Sequence, residues 1–260
     1  MTTLTFAVRD SATMTRRSFR HALRYPATLI TSVGVPVLML LLFVGVFGAL
    51  KAGLGAGSHV SYIDYVVPGI IVMTAAYGSS GTALAVNRDS AEGIIGRFRT
   101  MAISPASVLN GHVVGALVRT LVSVALVIGL AIGLGFRPTA DAGQWLAAVG
   151  LTALLVLALT WLAVAVGLAA KVAEGTTGFL LIVQLLPFIS SAFVPPAQMS
   201  GAVRWFAEHQ PFTPIIDTLR GLLTGTPDGA TALVAVAWCV GFALGGYLWA
   251  RALFRRDLNR

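Results

Sequence analysis

Apolar and charged positions segregate along this chain on the scale of whole helices. Asp, Glu, Lys and Arg are absent from residues 25–50, 65–87, 120–136, 142–170, 175–203 and 229–250, which are rich in Ala, Leu, Val, Ile and Phe. Crossing ~30 Å of hydrocarbon at roughly 1.5 Å per residue takes about 20 residues, and a helix satisfies its own peptide groups where no water can. All but one of these runs reach that length. The 120–136 run is shorter, but Arg119 at its edge can lay its stem along the helix and set its guanidinium among headgroups, so Val118 and Leu117 extend the apolar span. The pattern predicts an all-α polytopic membrane protein with six transmembrane helices.

The segments between the runs carry their own periodicity. Thr13 to Tyr25 places Arg16, Arg20 and Arg24 on one helical face and Phe19, Ala22 and Leu23 on another, before Pro26. This predicts an amphipathic interfacial helix within an N-terminal segment 1–26, with a merely unstructured basic tail as the simpler alternative. A transmembrane domain over 27–253 and a short tail at 254–260 complete the expected organisation.

Between the second and third runs, Asp89 and Glu92 stand in a capping-box spacing, with Asp in place of the usual Ser or Thr. Ile94, Ile95, Phe98, Met101 and Ala102 then form one apolar stripe, and Ser104-Pro105 closes a predicted helix over 89–104. Such a stripe can pack on the lipid surface or seat in a groove of a soluble partner; periodicity alone leaves both open. Late in the chain, Pro187, Pro195 and Pro196 interrupt the fifth run. Beyond them Ile215, Ile216, Leu219, Leu222 and Leu223 make a second stripe opposite Asp217 and Arg220, while Trp205 and Phe206 suit an aromatic interfacial belt. Residues 195–226 therefore read as a broken, re-entrant segment bordering a wet route.

Charged residues make up 11% of the 260 residues, apolar ones 57%, and mean hydropathy is +0.85, so no soluble fold could hide this much apolar surface. The first run is too long for the core of a signal peptide and ends at Leu50-Lys51 without a small-residue cleavage site, so it is expected to be retained. With six spans both termini share one side, which collects every basic residue except Lys51, Arg137, Arg204 and Arg220. Short cytoplasmic loops gather Lys and Arg, so both termini are expected in the cytoplasm. Orientation already explains the net charge of +8, and without an aromatic–basic recognition module nucleic acid is not an expected partner.

Reactive chemistry is sparse. All ten acids lie at span ends or in loops, whereas ion-coupled carriers commonly keep a carboxylate or an unwound ion site near the midplane. His21, His59, His112 and His209 are scattered without metal-ligand spacing, no GxSxG elbow with partners occurs, and Cys239 reads as a small buried hydrophobe. Lys51 and Lys171 follow no GxxxxG phosphate loop, so any ATP-derived energy must come through another subunit. Hydroxyls inside spans usually serve helix packing. Thr74, Ser79, Gln184, Ser190 and Phe193 are the candidates for a substrate path, with Gln184 the strongest of them.

The basic helix before the first run, the segment Asp89-xx-Glu92-Gly93-xxx-Arg97-xxx-Met101-xx-Ser104-Pro105, and the stretch from His209 to Gly225 together resemble the membrane subunits of type-2 (ABC-2) ABC exporters. The likeness is to the daunorubicin/doxorubicin resistance permeases of actinobacteria and covers essentially the whole chain. It implies that residues 89–104 are the coupling helix that seats in an ATPase, with Ile94, Ile95, Phe98 and Met101 in the groove. Gly93 and Arg97 match the family's small and basic positions. Gln210-Pro211 stands where that family often has Asn-Pro.

The resemblance further implies a permease subunit in a bacterial plasma membrane, exporting an amphiphilic drug, lipid or glycolipid by alternating access. A separate ATPase would bind ATP and Mg, and a second permease copy or a paralogue would complete the path. This chain would hold no cofactor and no metal of its own. The rival reading is a self-sufficient secondary carrier of 3+3 inverted repeats, since the long links after the second and fifth runs occupy equivalent positions.

Overall fold

A computed structural model of the chain describes residues 26–47, 61–91, 105–170 and 173–258. These form eight α-helices: α1 (Pro26–Leu42), α2 (Tyr62–Ala91), α3 (Pro105–Gly133), α4 (Ala142–Ala169), α5 (Ala173–Leu185), α6 (Gly201–His209), α7 (Phe212–Leu223) and α8 (Gly229–Leu258). Five residues of wider π-type turn, Phe43–Phe47, extend α1, and short 3-10 turns at Leu186–Ile189 and Pro196–Gln198 follow α5. No strand occurs among the described residues. The predicted helix before Pro26, and Glu92, Gly93, Ile94, Ile95, Arg97, Phe98 and Met101, lie outside them.

Four helices are long and apolar enough to cross a membrane among the described residues: α2, α3 over Val113–Gly133, α4, and α8 over Gly229–Phe254. The first and fifth predicted spans hold shorter apolar helices, Val33–Val46 and Gly175–Ile189. Pro187 sits inside the first 3-10 turn, where its missing N–H and fixed ring end the α-helical ladder of α5. The chain is a helical membrane protein, and within its described residues four of the six predicted spans have full crossing length.

Helix starts follow side-chain chemistry. Asp141 caps α4: its carboxylate accepts from the Gln144 amide at 2.7 Å, and the Gln144 side chain accepts from the Asp141 amide at 2.9 Å, a reciprocal capping box. Asp228 does the same work ahead of α8, accepting from the amides of Ala230 and Thr231 and from the Thr231 hydroxyl. Pro105 occupies the first position of α3, where its missing N–H costs nothing.

Two expectations are corrected. Asp89 is not a helix N-cap: it lies inside α2, which is described as far as Ala91. Arg119 is not at the edge of its span: α3 begins at Pro105, and Arg119 lies inside the apolar stretch Val113–Gly133. Its guanidinium rests against α2, with Nη2 3.8 Å from where a Cβ on Gly81 would sit.

The centre of the bundle is α2. It packs on α1, α3, α4, α5 and α7, and 72% of its apolar window is buried inside the chain against 17% for α8. Ile70, Met73, Leu155, Ile215, Ile216 and Leu219, from α2, α4 and α7, are fully buried in one cluster. Small residues let backbones close up, as membrane helices require when lipid removes the hydrophobic drive to associate. A Cβ on Gly167 of α4 would meet the Ala83 carbonyl at 2.6 Å, and one on Gly246 of α8 would meet the Leu162 amide nitrogen at 2.7 Å. The outward faces of α3 and α8 remain apolar, with Leu126, Leu130, Leu233, Leu244 and Leu248 exposed.

Candidate functional site

Between α5 and α8 the chain does not run straight, and the reason lies in local sequence. After the 3-10 turn, Ser190 folds its hydroxyl onto the Pro187 carbonyl and accepts the Ala192 amide at 3.1 Å, forming a compact turn over 190–194. The turn presses Ala192 against α2 at Gly69, where a Cβ would come within 2.5 Å of the Ala192 Cβ. Phe193 stacks on Phe43 at 3.9 Å between ring centroids and lies 5.5 Å from Phe188, which ties α1 to the broken segment.

Gln210 links this segment to the next helix pair. Its Nε2 donates to the carbonyls of Leu186 at 3.3 Å and Ile189 at 3.0 Å, satisfying acceptors that the end of a helix leaves bare. Its Oε1 is buried without a protein partner. Asn at this position would be one methylene shorter, so the departure from Asn-Pro to Gln210-Pro211 matches the span that this side chain covers here.

The stripe predicted for α7 is realised: Ile215, Ile216, Leu219 and Leu223 are buried against α2, α4 and α8, with Leu222 partly so. Asp217 and Arg220, expected to face away, do not. Arg220 donates to Asp217 at 2.5 Å, to the Ser191 carbonyl at 2.6 Å and to the Tyr65 carbonyl at 3.2 and 3.3 Å, and its guanidinium carbon stands 3.9 Å over the Tyr65 ring. Ser191 donates its hydroxyl to Asp217 at 2.7 Å. Nearby, the Arg137 amide donates to Asp64 and the Thr139 amide to the Leu223 carbonyl, so the α3–α4 loop joins the same end of the bundle. Sequence periodicity missed this cluster; the only signal for it was two opposite charges three residues apart on α7.

The predicted path residues divide. Thr74 and Ser79 are buried on α2 and donate to their own helix, at Ile70 and Ala76. Ser190 and Phe193 come together in the broken segment and are buried there. Gln184 differs: it is half-buried, and its Nε2 donates at 2.6 Å to Ser80 of α2, beside the exposed Leu181, Ile182 and Leu185 of α5. It is the predicted residue that holds an amide on a face otherwise built of hydrocarbon.

At the opposite end of α2, Asn87 donates to the carbonyls of Gly167 at 3.2 Å and Ala170 at 2.7 Å, capping the C-terminus of α4. Of the predicted coupling residues, Asp89 alone is described, one half-turn further along α2. The stretch carrying the others follows directly from a helix that is held at both ends.

Residues 10–224 match the family model for the ABC-2 type transporter. The "Daunorubicin resistance ABC transporter permease protein DrrB1" of Streptomyces coeruleorubidus is 31% identical over 243 residues, covering 90% of this chain and 80% of that protein. The "Probable doxorubicin resistance ABC transporter permease protein DrrC" of Mycobacterium tuberculosis is 24% identical over 237 residues, covering 91% of this chain and 85% of the relative. A family match over most of the chain, joined to apolar helices of crossing length around a central α2, makes this polypeptide a member of the ABC-2 type transporter family.

Proposed function

We propose that this chain is the membrane-spanning permease subunit of an ATP-driven exporter that moves an amphiphilic drug, lipid or glycolipid out of a bacterial cell. The observation that carries the reading is the ABC-2 family match over residues 10–224 in a chain whose lysines follow no phosphate loop. A separate ATPase subunit binds ATP and Mg. The coupling helix falls within residues 89–104, after α2, with Glu92 and Gly93 opening it, Ile94, Ile95, Phe98 and Met101 in the ATPase groove, and Arg97 beside them. Asp89 joins that helix to α2, which runs unbroken for 30 residues and carries the motion roughly 45 Å across the bilayer.

A second permease copy or a paralogue covers part of the apolar surface left on α3, α5 and α8, and lipid covers the rest. The substrate path follows the α2–α5 boundary, where Gln184 and Ser80 offer an amide and a hydroxyl to a polar group on an otherwise greasy cargo. Transport proceeds by alternating access, with both termini on the cytoplasmic side of the plasma membrane. The test is reconstitution: the tagged chain, co-expressed with its candidate ATPase, is expected to retain it through purification and to move daunorubicin in proteoliposomes only with ATP and Mg. Loss of the ATPase on purification together with ATP-independent movement refutes the reading.

A further inference from the structure

A guanidinium presents five N–H donors in a rigid fork, so one arginine can hold several acceptors in fixed relation. Arg220 does so across three segments. From α7 it reaches the Tyr65 carbonyl in the first turn of α2, the Ser191 carbonyl in the turn after the break of α5, and Asp217 on its own helix. The Ser191 hydroxyl closes the ring by donating to the same Asp217 oxygen, and the cation sits over the Tyr65 ring. The Arg220 side chain is 18% exposed, which strengthens each of these bonds relative to water.

The two carbonyls belong to the first turn of α2 and to the turn that follows α5 and its 3-10 extension, and α2 and α5 also meet through Gln184 and Ser80. No route between α2 and α5 can open at this end unless Arg220 releases one of them. We propose that Arg220 is a latch that holds the outer ends of α2 and α5 shut against α7, with Asp217 as its internal counter-charge. Losing the arginine leaves two carbonyls and a carboxylate that water can solvate once α7 lifts, so the open arrangement gains and the closed one loses. The latch rests on the permease reading only in assigning its release to ATP. The closed clasp itself follows from the geometry.

The test uses the full chain with its ATPase in lipid nanodiscs, in a Cys239→Ala background, and a membrane-impermeant maleimide as probe. Thr218→Cys is the reporter: Thr218 is 5% exposed on α7 and its hydroxyl bonds only the Pro214 carbonyl of its own helix. With Arg220 present the thiol is expected to react slowly, and faster when ATP is added. Arg220→Gln is expected to raise the ATP-free rate roughly tenfold and to remove the response to ATP. Arg220→Lys, a point charge without the fork, falls between.

A buried reporter remote from the clasp, Ala163→Cys on α4, is expected to stay unreactive in every variant. Unchanged labelling of Thr218→Cys in Arg220→Gln overturns the latch. So does equal acceleration at Ala163→Cys, which signals general loosening. If Arg220→Gln yields no folded protein, Ser191→Ala removes only the hydroxyl bond to Asp217 and is expected to raise the rate about threefold; a wild-type rate there overturns the proposal as well. If Arg220→Gln opens the site but ATP leaves the wild type unaffected, the latch stands and the ATP-driven reading falls.

Discussion

Asn87 joins α2 to the C-terminal end of α4 with two hydrogen bonds. Its amide donates to the Gly167 and Ala170 carbonyls, and Gly167 is the residue whose missing Cβ lets α4 approach α2. Asn87→Leu leaves both acceptors without the donor in a buried place, and is expected to cost about 1–3 kcal/mol. Thermal unfolding in detergent measures it, and an unchanged midpoint shows that the carbonyls find other donors.

Asp228 is a residue-scale effect of the opposite kind, exposed and outside the apolar stretches. The Thr231 hydroxyl, then the amides of Thr231 and Ala230, hold its carboxyl below the ordinary value of 3.8. The folded chain thus favours the ionised form, and the stability it contributes is fully present above 3.8 and lost as the pH falls through the lower folded value. Asp228→Asn is expected to destabilise at neutral pH and to match the parent in strong acid, as read by parallel unfolding curves.

At the scale of elements, the proposed coupling role of the segment that follows α2 has a direct test. The stripe of Ile94, Ile95, Phe98 and Met101 predicts that Phe98 is buried on docking, so Phe98→Asp places an unpaired charge in that contact. ATP hydrolysis is expected to continue while drug movement falls at least tenfold; Phe98→Leu is expected to keep both. Export at the parent rate by Phe98→Asp places the stripe on lipid instead.

Elements also mark how far sequence could see. The starts of α4 and α8 were legible because the charge-free runs begin directly after Asp141 and Asp228, and the break in α5 was legible in Pro187. The start of α3 was not. Arg119 looked like a boundary because a charge inside a span is costly, yet it lies within α3 with its guanidinium against α2 near Gly81, a neighbour that the pattern of one helix does not show. The Arg220 clasp was hidden for a related reason. Asp217 and Arg220 lie opposite an apolar stripe, which reads as facing solvent, and the partner carbonyl of Tyr65 is 155 residues away along the chain. Periodicity within one helix carries no information about an acceptor on another. The half-buried Gln184 was legible because an amide among leucines is conspicuous in any span, whereas its partner Ser80 was one hydroxyl among several.

For the molecule as a whole, orientation ties these parts to a mechanism, because a coupling helix is useful only on the side where ATP is. Two features point the same way. The end of the bundle that carries Arg220, Asp64 and the α3–α4 loop is tied together by hydrogen bonds, whereas the six-span reading of the sequence assigns most of the Arg and Lys to the other side. Positive charge is retained on the cytoplasmic face during insertion, so the proposed orientation puts the tied end outside. Cys239 is the sole cysteine and is buried, which makes Cys239→Ala a clean background. In intact cells a membrane-impermeant maleimide is expected to label Thr226→Cys, which is exposed just beyond α7, and to spare Ser11→Cys and Asn259→Cys until the cells are broken open. Labelling of either terminal cysteine in intact cells inverts the orientation. Residues 89–104 would then face away from ATP, and neither a motor docked on Phe98 nor a latch driven from the other end of α2 could survive that result.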